Sequence, residues 1–576
     1  MDQGVIRGGV PVRPRRSRRR RRVWRRRLRL IVPVVAVAVI AIGVVLVLQA
    51  LSGQSERPLV TNYVQAWSAG NYARMYSLLD PDSKAGMSEA RFAAAYRRDA
   101  RTATVLKLTA ERVGSRRGAY IPVQMLVATK LFGTLHETLE VPITGSGSGA
   151  TVHYTSSLLF PGLQGHEHLA RHMSLPPRAT LFAADGSPLA QGPDRTSTIP
   201  DVASQIVGVL GPIPRADAAT YAVQGYPANA RVGIDGLERA FQTQLAGTPG
   251  GVLLAGKRAL ARTVPIQGRD VTTSIEPNLE RAAVAALGGS YAGIAAMDPR
   301  TGALLALAGI AFSAGQPPGS TMKIVTSTAA LAAGIVKLST VFPYSTQAVL
   351  DGYTLHNAGG EDCGGTLLNS FAVSCNSVFA PLGAKVGSKR LLAMAEKFGF
   401  NQTPTIPGAV ESSIPPNSLG SDLDAGSSAI GQGEVLATPL EMTDVGATIA
   451  MGGRRPVPTL AAHQPPKFVR VTSGHVADEV QQMMEAVVRY GTGTAAQIPG
   501  VTVAGKTGTA ELANTTTSSG GSVANANSLT DAWFVGYAPV GHPRIVVGAL
   551  FPNQGAGGAT AAPAVRQMLV AGLAGH

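Results

Sequence analysis

A serine and a lysine stand three residues apart in the stretch QPPGSTMKIVTSTAALAAGIV, at positions Ser320 and Lys323. The Pro-Pro-Gly ahead of them and the small and apolar residues behind them predict that a helix begins near Ser320. Residues three apart lie on one helix face, so we expect the lysine amine to reach the serine hydroxyl. Apolar neighbours would lower the pKa of that amine and make it a usable base for an attacking serine.

Taken alone, the pair also fits an ordinary structural explanation. A serine often caps a helix, and the lysine would then be solvated. The chain has 11 lysines, so about one Ser-x-x-Lys pair is expected by chance. The pair therefore needs other motifs before it indicates a nucleophile.

A second motif, Ser374-Cys375-Asn376, precedes the apolar sequence SVFAPL, which is typical of a buried helix. It offers a second hydroxyl for proton relay and an amide that could orient a substrate carbonyl. A loop turn of Ser and Asn is its ordinary explanation.

A third motif, Lys506-Thr507-Gly508-Thr509, lies in the strand-like sequence VTVAGKTGTAEL. A glycine in an edge strand lets another backbone approach closely, as a substrate laid along the strand requires. The lysine supplies positive charge, and the two threonine hydroxyls could bind a carboxylate. An exposed lysine on a strand is the alternative, but three such motifs in this order favour an active site.

The part of the chain that carries the motifs, residues 281–576, is expected to form an antiparallel sheet covered by helices. GIAAMDPRTGALLALAG is a hairpin with its turn at residues 298–302, and DAWFVGYAP and PRIVVGALFP are further strands before a terminal helix. The polar stretch 513–530 is too long for a plain hairpin turn, which suggests a functional loop.

Two modules without catalytic motifs are expected ahead of this domain. Residues 56–163 alternate helical and strand patterns, as in a small α+β docking or spacer module. Residues 164–280 are rich in glycine and mixed in pattern. In this second module, VGIDGLERAFQTQLAGTPG is expected to form one helix with Leu237, Phe241 and Leu245 on the same face.

The net charge of +16 is concentrated in residues 1–29, which hold 13 arginines and one acid, Asp2. Residues 30–48 are apolar, long enough to span a bilayer as a helix, and flanked by arginines on one side only. We therefore expect a cytoplasmic tail (1–29), a membrane anchor (30–51) and everything after it outside the cytoplasm. A cleaved signal peptide and a DNA-binding arm are weaker alternatives, and the arginines would meet anionic lipid headgroups rather than nucleic acid.

Cys363 and Cys375 are the two cysteines of the chain. Outside the cytoplasm they could form a disulfide, although two buried thiols fit the sequence equally well. No pairing of cysteine and histidine has ligand spacing, so no metal is expected.

Together, Ser320-x-x-Lys323, Ser374-x-Asn376 and Lys506-Thr507-Gly508 resemble the three signatures of penicillin-recognising serine transferases and hydrolases. GQGEVLATPLEM and DAWFVGYAP are similar to segments of penicillin-binding transpeptidase domains. RATLFAADGSPLA and GIDGLERAFQTQLAGTPG resemble the class B dimerisation, or pedestal, module, and VTNYVQAWSAGNYARMYSLL resembles a nuclear transport factor 2-like module.

The resemblance to class B penicillin-binding proteins implies a multidomain α+β fold with an anchor, these two modules and a transpeptidase domain. It implies a D,D-transpeptidase of the cell wall with no cofactor and no nucleic-acid partner. Its partners would be stem peptides ending in D-Ala-D-Ala, β-lactams that acylate the same serine, the bacterial cytoplasmic membrane, and a glycan polymerase or cell-wall assembly complex.

The resemblance also implies a role for each motif residue. Ser320 would be the nucleophile and Lys323 its base, while Ser374 and Lys506 would pass a proton to the departing D-Ala amine. The backbone N–H groups of Ser320 and Thr509 would form the oxyanion hole. Substrate would be bound by the residues Asn376, Thr507, Gly508 and Thr509, and a Cys363–Cys375 bridge could hold the Ser374 loop in place.

Three other functions are possible from the sequence. Two of them are enzymes or sensors that use the same motifs, and the third is a scaffold that would not use them. A β-lactamase or β-lactam sensor would share the serine, but the sequence shows no obvious acidic residue for deacylation, and the upstream modules fit a secreted hydrolase poorly. A D,D-carboxypeptidase would use water as the acceptor, and the motifs do not separate it from a transpeptidase. A non-enzymatic scaffold is disfavoured by the intact Ser320, Lys323 and Lys506.

Overall fold

The computed structural model describes residues 56–511 and 530–574, which divide into two compact units. The first contains residues 56–172 together with 251–263, and the second contains residues 173–250 and 264–574. The segment 251–263 thus groups with the N-terminal module, although in the sequence it lies inside the expected pedestal module 164–280.

Helices at the start of the first unit are followed by a sheet. The elements are α1 (Arg57–Ser68), α2 (Tyr72–Ser77), α3 (Pro81–Gly86), α4 (Glu89–Thr102), β1 (Val105–Val113), β2 (Tyr120–Thr129), β3 (Gly133–Thr144), β4 (Thr151–Val152) and β5 (Leu169–Ser174). Strands β1 to β4 form one sheet in sequence order. Burial alternates along β2, where Ile121, Val123 and Met125 are buried, as expected when one sheet face covers a core.

The middle of the chain consists of short elements. They are β6 (Leu181–Phe182), β7 (Pro188–Ala190), α5 (Pro200–Ile206), β8 (Leu210–Pro212), α6 (Ala218–Val223), β9 (Arg231–Gly233), α7 (Gly236–Ala240), α8 (Gln242–Ala246), β10 (Gly250–Ala255), β11 (Arg258–Thr263) and β12 (Val271–Thr272). Strands β6 and β7 pair antiparallel across a turn that contains Asp185 and Gly186, and β12 pairs parallel with β6. Strands β11, β10 and β5 form a separate three-stranded sheet in that order.

The helix expected around Phe241 is broken into α7 and α8, with Phe241 between them. Leu237, Phe241 and Leu245 are nevertheless all buried. The break brings the buried Gln242 side chain to the N–H of Gly233, which donates to Gln242 Oε1 at 2.8 Å. This polar contact across nine residues is not encoded in the apolar spacing from which one helix was expected.

The remaining elements form the largest domain. They are α9 (Pro277–Leu287), β13 (Gly293–Asp298), β14 (Ala303–Gly309), α10 (Lys323–Ala332), β15 (Val341–Ser345), β16 (Gln347–Leu350), β17 (Tyr353–His356), β18 (Cys363–Thr366), α11 (Leu367–Ala372), α12 (Asn376–Val386), α13 (Ser388–Phe398), α14 (Asp422–Ala429), α15 (Pro439–Ala450), β19 (Arg454–Pro456), β20 (Phe468–Arg470), α16 (Gly474–Arg489), β21 (Ala504–Glu511), β22 (Thr530–Ala538), β23 (Ile545–Phe551) and α17 (Ala561–Ala574).

Five strands of this domain form one antiparallel sheet in the order β14-β13-β23-β22-β21. The β13–β14 hairpin closes where the sequence predicts, with Gly302 N donating to Asp298 O at 2.9 Å. Strand β21, which carries the Lys-Thr-Gly-Thr motif, lies at the edge of the sheet.

Helices cover both faces of the five-stranded sheet. Phe534 and Val547 share one core with residues of α9 and α17, whereas Trp533, Val535 and Val546 share another with residues of α10, α15 and α16. Because side chains alternate along β22, that strand is buried on both faces. The expected helix-covered antiparallel sheet is therefore confirmed, as is the multidomain α+β class.

Among the residues that the structure describes, no helix is both long and apolar enough to cross a bilayer. The expected cytoplasmic tail and anchor, residues 1–29 and 30–51, lie outside the described residues. The polar loop expected at 513–530 also lies outside them, except for its last residue.

Candidate active site

Ser320 lies in a single 3₁₀ turn, Gly319–Met322, directly before α10 begins at Lys323. This turn sits against β21, because a Cβ on Gly319 would come within 2.9 Å of Ala510 N. On the β21 side, a Cβ on Gly508 would come within 2.7 Å of Pro318 O. The two glycines therefore allow the serine turn and the edge strand to approach closely, which holds Ser320 beside the Lys-Thr-Gly-Thr motif.

The amine of Lys323 is fully buried and points at the second motif. It donates to Ser374 O and Asn376 Oδ1, both at 2.7 Å, and to Ser374 Oγ at 3.3 Å. None of these hydrogen bonds goes to Ser320. The direct contact between Lys323 and Ser320 that the helical spacing suggested is thus replaced by contacts with the neighbouring loop.

Ser374 joins the first and third motifs through its side-chain oxygen. Lys506 Nζ donates to Ser374 Oγ at 2.8 Å and also to Thr507 O at 3.0 Å. The backbone of Ser374 has a φ of 63°, in the left-handed region that residues other than glycine rarely adopt. This conformation turns the chain between α11 and α12, so the hydroxyl meets both lysines.

Burial changes the protonation of both amines. It lowers the pKa of Lys323 well below its usual value, and the nearby charge of Lys506 lowers it further. Burial also lowers the pKa of Lys506, to about 7. Aromatic rings face the two amines, Phe379 at 5.5 Å from Lys323 Nζ and Phe371 at 5.4 Å from Lys506 Nζ. Because the pKa of Lys323 is lowered by both burial and the Lys506 charge, Lys323 is favoured as the neutral member of the pair and Lys506 as the charged one.

The side chain of Asn376 is held at both ends. Its Oδ1 accepts from Lys323, and its Nδ2 donates to His356 O at 3.0 Å. Cys363 and Cys375 form a disulfide, which decides between the two possibilities that the sequence left open. The bond ties β18 to the residue that follows Ser374, so the Ser374 loop is fixed by covalent and polar contacts.

On β21, the threonine hydroxyls of the third motif are also engaged. Thr507 Oγ1 and Thr492 Oγ1 are 2.6 Å apart, and Gly557 N donates to Thr509 Oγ1 at 3.4 Å. Thr492 was not singled out from the sequence, because nothing near it forms a motif and its contact with Thr507 spans 15 residues.

A cleft of about 970 Å³ joins these groups. Among the residues expected at the site, it is lined by the set Ser320, Ser374, Asn376, Thr507 and Thr509. Lys323 and Lys506 lie buried behind its surface. Two carboxylates that the sequence did not single out, Glu361 and Glu511, also line the cleft.

Comparison with known proteins identifies three domains in the chain. A model of the penicillin-binding protein transpeptidase domain matches residues 292–570, one of the penicillin-binding protein dimerisation domain matches 176–272, and one of the NTF2-like N-terminal transpeptidase domain matches 56–167. The peptidoglycan D,D-transpeptidase PbpA of Mycolicibacterium smegmatis is 31% identical over 377 residues, which cover 53% of this chain and 73% of that protein.

The chain belongs to the penicillin-binding protein family. The transpeptidase and penicillin-binding functions expected from the sequence are thereby confirmed, as are the dimerisation and NTF2-like modules. PbpA of Mycobacterium tuberculosis is 30% identical over 374 residues, which cover 74% of it.

Solved structures of other family members match this penicillin-binding protein. The D,D-transpeptidase domain of a peptidoglycan glycosyltransferase from Eggerthella lenta has a TM-score of 0.55 at 28% identity, covering 70% of this chain and 99% of that one. A penicillin G acyl-enzyme complex of penicillin-binding protein A from M. tuberculosis has a TM-score of 0.55 at 26% identity, covering 69% of this chain and 99% of that one.

Proposed function

We propose that this penicillin-binding protein is a peptidoglycan D,D-transpeptidase whose nucleophile is Ser320. The observation that carries the proposal is that the amines of Lys323 and Lys506 both form a hydrogen bond with Ser374 Oγ beneath the cleft surface. Ser320 lines the same cleft, one helical turn from Lys323. The substrate is a stem peptide that ends in D-Ala-D-Ala, as the family resemblance implies.

In the acylation step, the neutral Lys323 amine accepts the Ser320 hydroxyl proton while the oxygen attacks the penultimate D-Ala carbonyl carbon. The tetrahedral intermediate then collapses with cleavage of the peptide C–N bond. The departing D-Ala nitrogen takes up a proton through Ser374, whose hydroxyl lies between Lys323 and Lys506. The products of this step are an acyl ester on Ser320 and free D-Ala.

The oxyanion of that intermediate is stabilised by the backbone N–H groups of Ser320 and Thr509. Their proximity is supported by the close approach of Gly319 to the β21 backbone. A single donor of this kind contributes about 3 kcal/mol to transition-state stabilisation. Thr507 and Thr509 bind the substrate carboxylate, and Gly508 leaves room for its backbone along the edge strand. Asn376 orients the substrate amide from the opposite side.

In the second step, an amine of another stem peptide attacks the acyl carbonyl carbon. The new C–N bond replaces the ester C–O bond, and Ser320 recovers a proton from the attacking nitrogen through Lys323. β-Lactams acylate Ser320 in the same way as the donor peptide. The result is a cross-link between two stem peptides rather than a shortened peptide.

We place the enzyme at the bacterial cytoplasmic membrane. Residues 30–51 anchor the chain, residues 1–29 stay in the cytoplasm near anionic lipid headgroups, and the rest acts outside. The modules 56–163 and 164–280 position the transpeptidase domain 281–576 and contact a glycan polymerase or other members of a cell-wall assembly complex. No cofactor is required by the mechanism.

Intact-mass measurement of the full-length chain with penicillin tests the nucleophile. The wild-type protein is expected to gain the mass of one penicillin, and Ser320→Ala to gain none. A cross-linking assay on lipid-linked peptidoglycan then separates the possible acceptors. Cross-linked product supports transpeptidation, whereas release of D-Ala alone, or rapid turnover of penicillin, would contradict it.

A further inference from the structure

The active-site cleft has two walls of different chemistry. One wall consists of β21 and the residues near it, such as Thr492, and bears the hydroxyl groups that suit a carboxylate. The other wall comes from residues 354–363 and the Ser374 loop. Glu361 lies on this second wall; it is exposed to solvent and is one of the residues that line the cleft.

The segment around Glu361 is held in place by contacts on both sides of it. The buried side chain of Asn357 donates to Glu361 O at 2.8 Å and accepts from Ser377 N at 2.7 Å. Two residues after Glu361, the disulfide of Cys363 and Cys375 ties the chain to the Ser374 loop. The carboxylate is therefore carried by a segment fastened to the catalytic loop.

We propose that Glu361 binds the ammonium group of the acceptor peptide and so favours an amine over water as the acceptor. The inference rests on the proposed function, in which the donor lies along β21 and stays bonded to Ser320 after D-Ala leaves. The acceptor must then enter along the other wall. A carboxylate there attracts an ammonium group and repels the carboxylate-bearing end of a donor.

Glu511 is the second glutamate among the described residues that line the cleft, and it provides a matched comparison. It ends β21, the strand assigned to the donor, and its backbone N–H and carbonyl pair with the Gln432 side chain at 2.9 and 3.2 Å when the Gln432 amide is oriented with its oxygen toward the N–H. Replacing either glutamate by glutamine removes one negative charge from the same cleft. Only Glu361 is expected to govern the acceptor.

Glu361 acts on binding and not on bond formation. The bound ammonium loses one proton to solvent before it attacks, and a second proton passes to the Ser320 oxygen as the ester bond breaks. The effect should therefore appear in the acceptor concentration needed for half-maximal transfer. Formation of the acyl-enzyme precedes acceptor binding and serves as the reference reaction.

The test uses the full-length protein in nanodiscs, a stem pentapeptide ending in D-Ala-D-Ala as donor, and two small acceptors near neutral pH. Glycinamide is largely an ammonium ion at that pH, whereas hydroxylamine is largely neutral. Glu361→Gln is expected to raise the half-saturating glycinamide concentration by about two- to fivefold, the range for a solvent-exposed ion pair. The value for hydroxylamine should change less than twofold, and Glu361→Asp should restore part of the glycinamide effect.

Glu511→Gln is the control for a general change of cleft potential and should shift the glycinamide value less than twofold. The proposal is overturned if Glu361→Gln has no effect, if it affects both acceptors equally, or if Glu511→Gln has the same effect. Failure of the proposed function looks different, because the wild-type protein would then either form no acyl-enzyme with the donor or pass the acyl group to water alone at every acceptor concentration.

Discussion

Lys323 Nζ and Lys506 Nζ both lie within hydrogen-bond distance of one oxygen, Ser374 Oγ, at 3.3 and 2.8 Å. Two protonated amines so close together and so deeply buried would repel each other strongly, so the pair favours a state with one neutral member. Lys323 is the more strongly affected, because burial and the charge of Lys506 both lower its pKa. The geometry thus separates the roles of the two lysines into base and proton donor.

The pH dependence of acylation follows from this separation. The rate should fall at acidic pH as Lys323 gains a proton, and it should fall above about pH 7 as Lys506, with a pKa of about 7, loses one. In Lys506→Arg the guanidinium keeps its charge, so the alkaline fall should move to higher pH. The measurement is the second-order rate of penicillin acylation across the pH range.

Lys506→Met is the control for loss of the cation itself and is expected to be slow at every pH. An alkaline limb unchanged in Lys506→Arg would assign that limb to another group and contradict the role given to Lys506.

The close approach at Gly508 gives a prediction about stability and activity together. In Gly508→Ala the new Cβ would lie 2.7 Å from Pro318 O and 2.8 Å from Trp533 Cβ, so β21 and the serine turn must move apart. We expect a loss of about 1–3 kcal/mol in the free energy of unfolding and a clear fall in penicillin acylation. Denaturant unfolding and acylation rates measure the two effects.

Gly474→Ala is the matched control, because a Cβ there meets no other atom within 4 Å. It is expected to change stability by less than about 0.5 kcal/mol and to leave acylation unaffected. Equal effects in the two variants would mean that the contact at Gly508 does not position Ser320.

From the sequence motifs we predicted that Lys506 to Thr509 lie on a strand and that the three motifs form one site. The motifs did not predict which residues the Lys323 amine contacts. Helical spacing places Lys323 on the face of Ser320, yet the amine bonds to Ser374 and Asn376, more than 50 residues away in sequence. Such contacts depend on which loops the fold brings together, and no local pattern records them.

Other features show the same limit. The apolar spacing of Leu237, Phe241 and Leu245 correctly predicts their burial but not the break at Phe241. Thr492 and Glu361 carry no motif, so only the folded cleft brings them to notice. The sequence did not decide whether Cys363 and Cys375 form a disulfide, because the positions of two cysteines in the chain do not fix the distance between their side chains.

Removal of the disulfide should loosen the Ser374 loop. The double variant Cys363→Ser/Cys375→Ser is expected to lose about 2–3 kcal/mol in the free energy of unfolding, the range for a short closed loop. Acylation should slow as well, because the loop carries Ser374. Denaturant unfolding and penicillin acylation of the variant, compared with reduced wild-type protein, provide the measurement, and an unchanged acylation rate would contradict the positioning role.

Thr492 is expected to support carboxylate binding through Thr507, since their hydroxyl oxygens are 2.6 Å apart. Thr492→Val keeps the shape of the side chain but removes this partner, so the Thr507 hydroxyl loses its fixed orientation. The KM for a donor with a free terminal carboxylate should rise by about three- to tenfold, the effect of one hydrogen bond near a charge. A donor with a terminal amide should be affected much less, and Thr492→Ser should behave like the wild-type protein. Steady-state release of the leaving group, D-Ala from the first donor and D-alaninamide from the second, measures the difference. An equal rise in KM for the two donors would show that Thr492 acts on the cleft in general and not on the carboxylate.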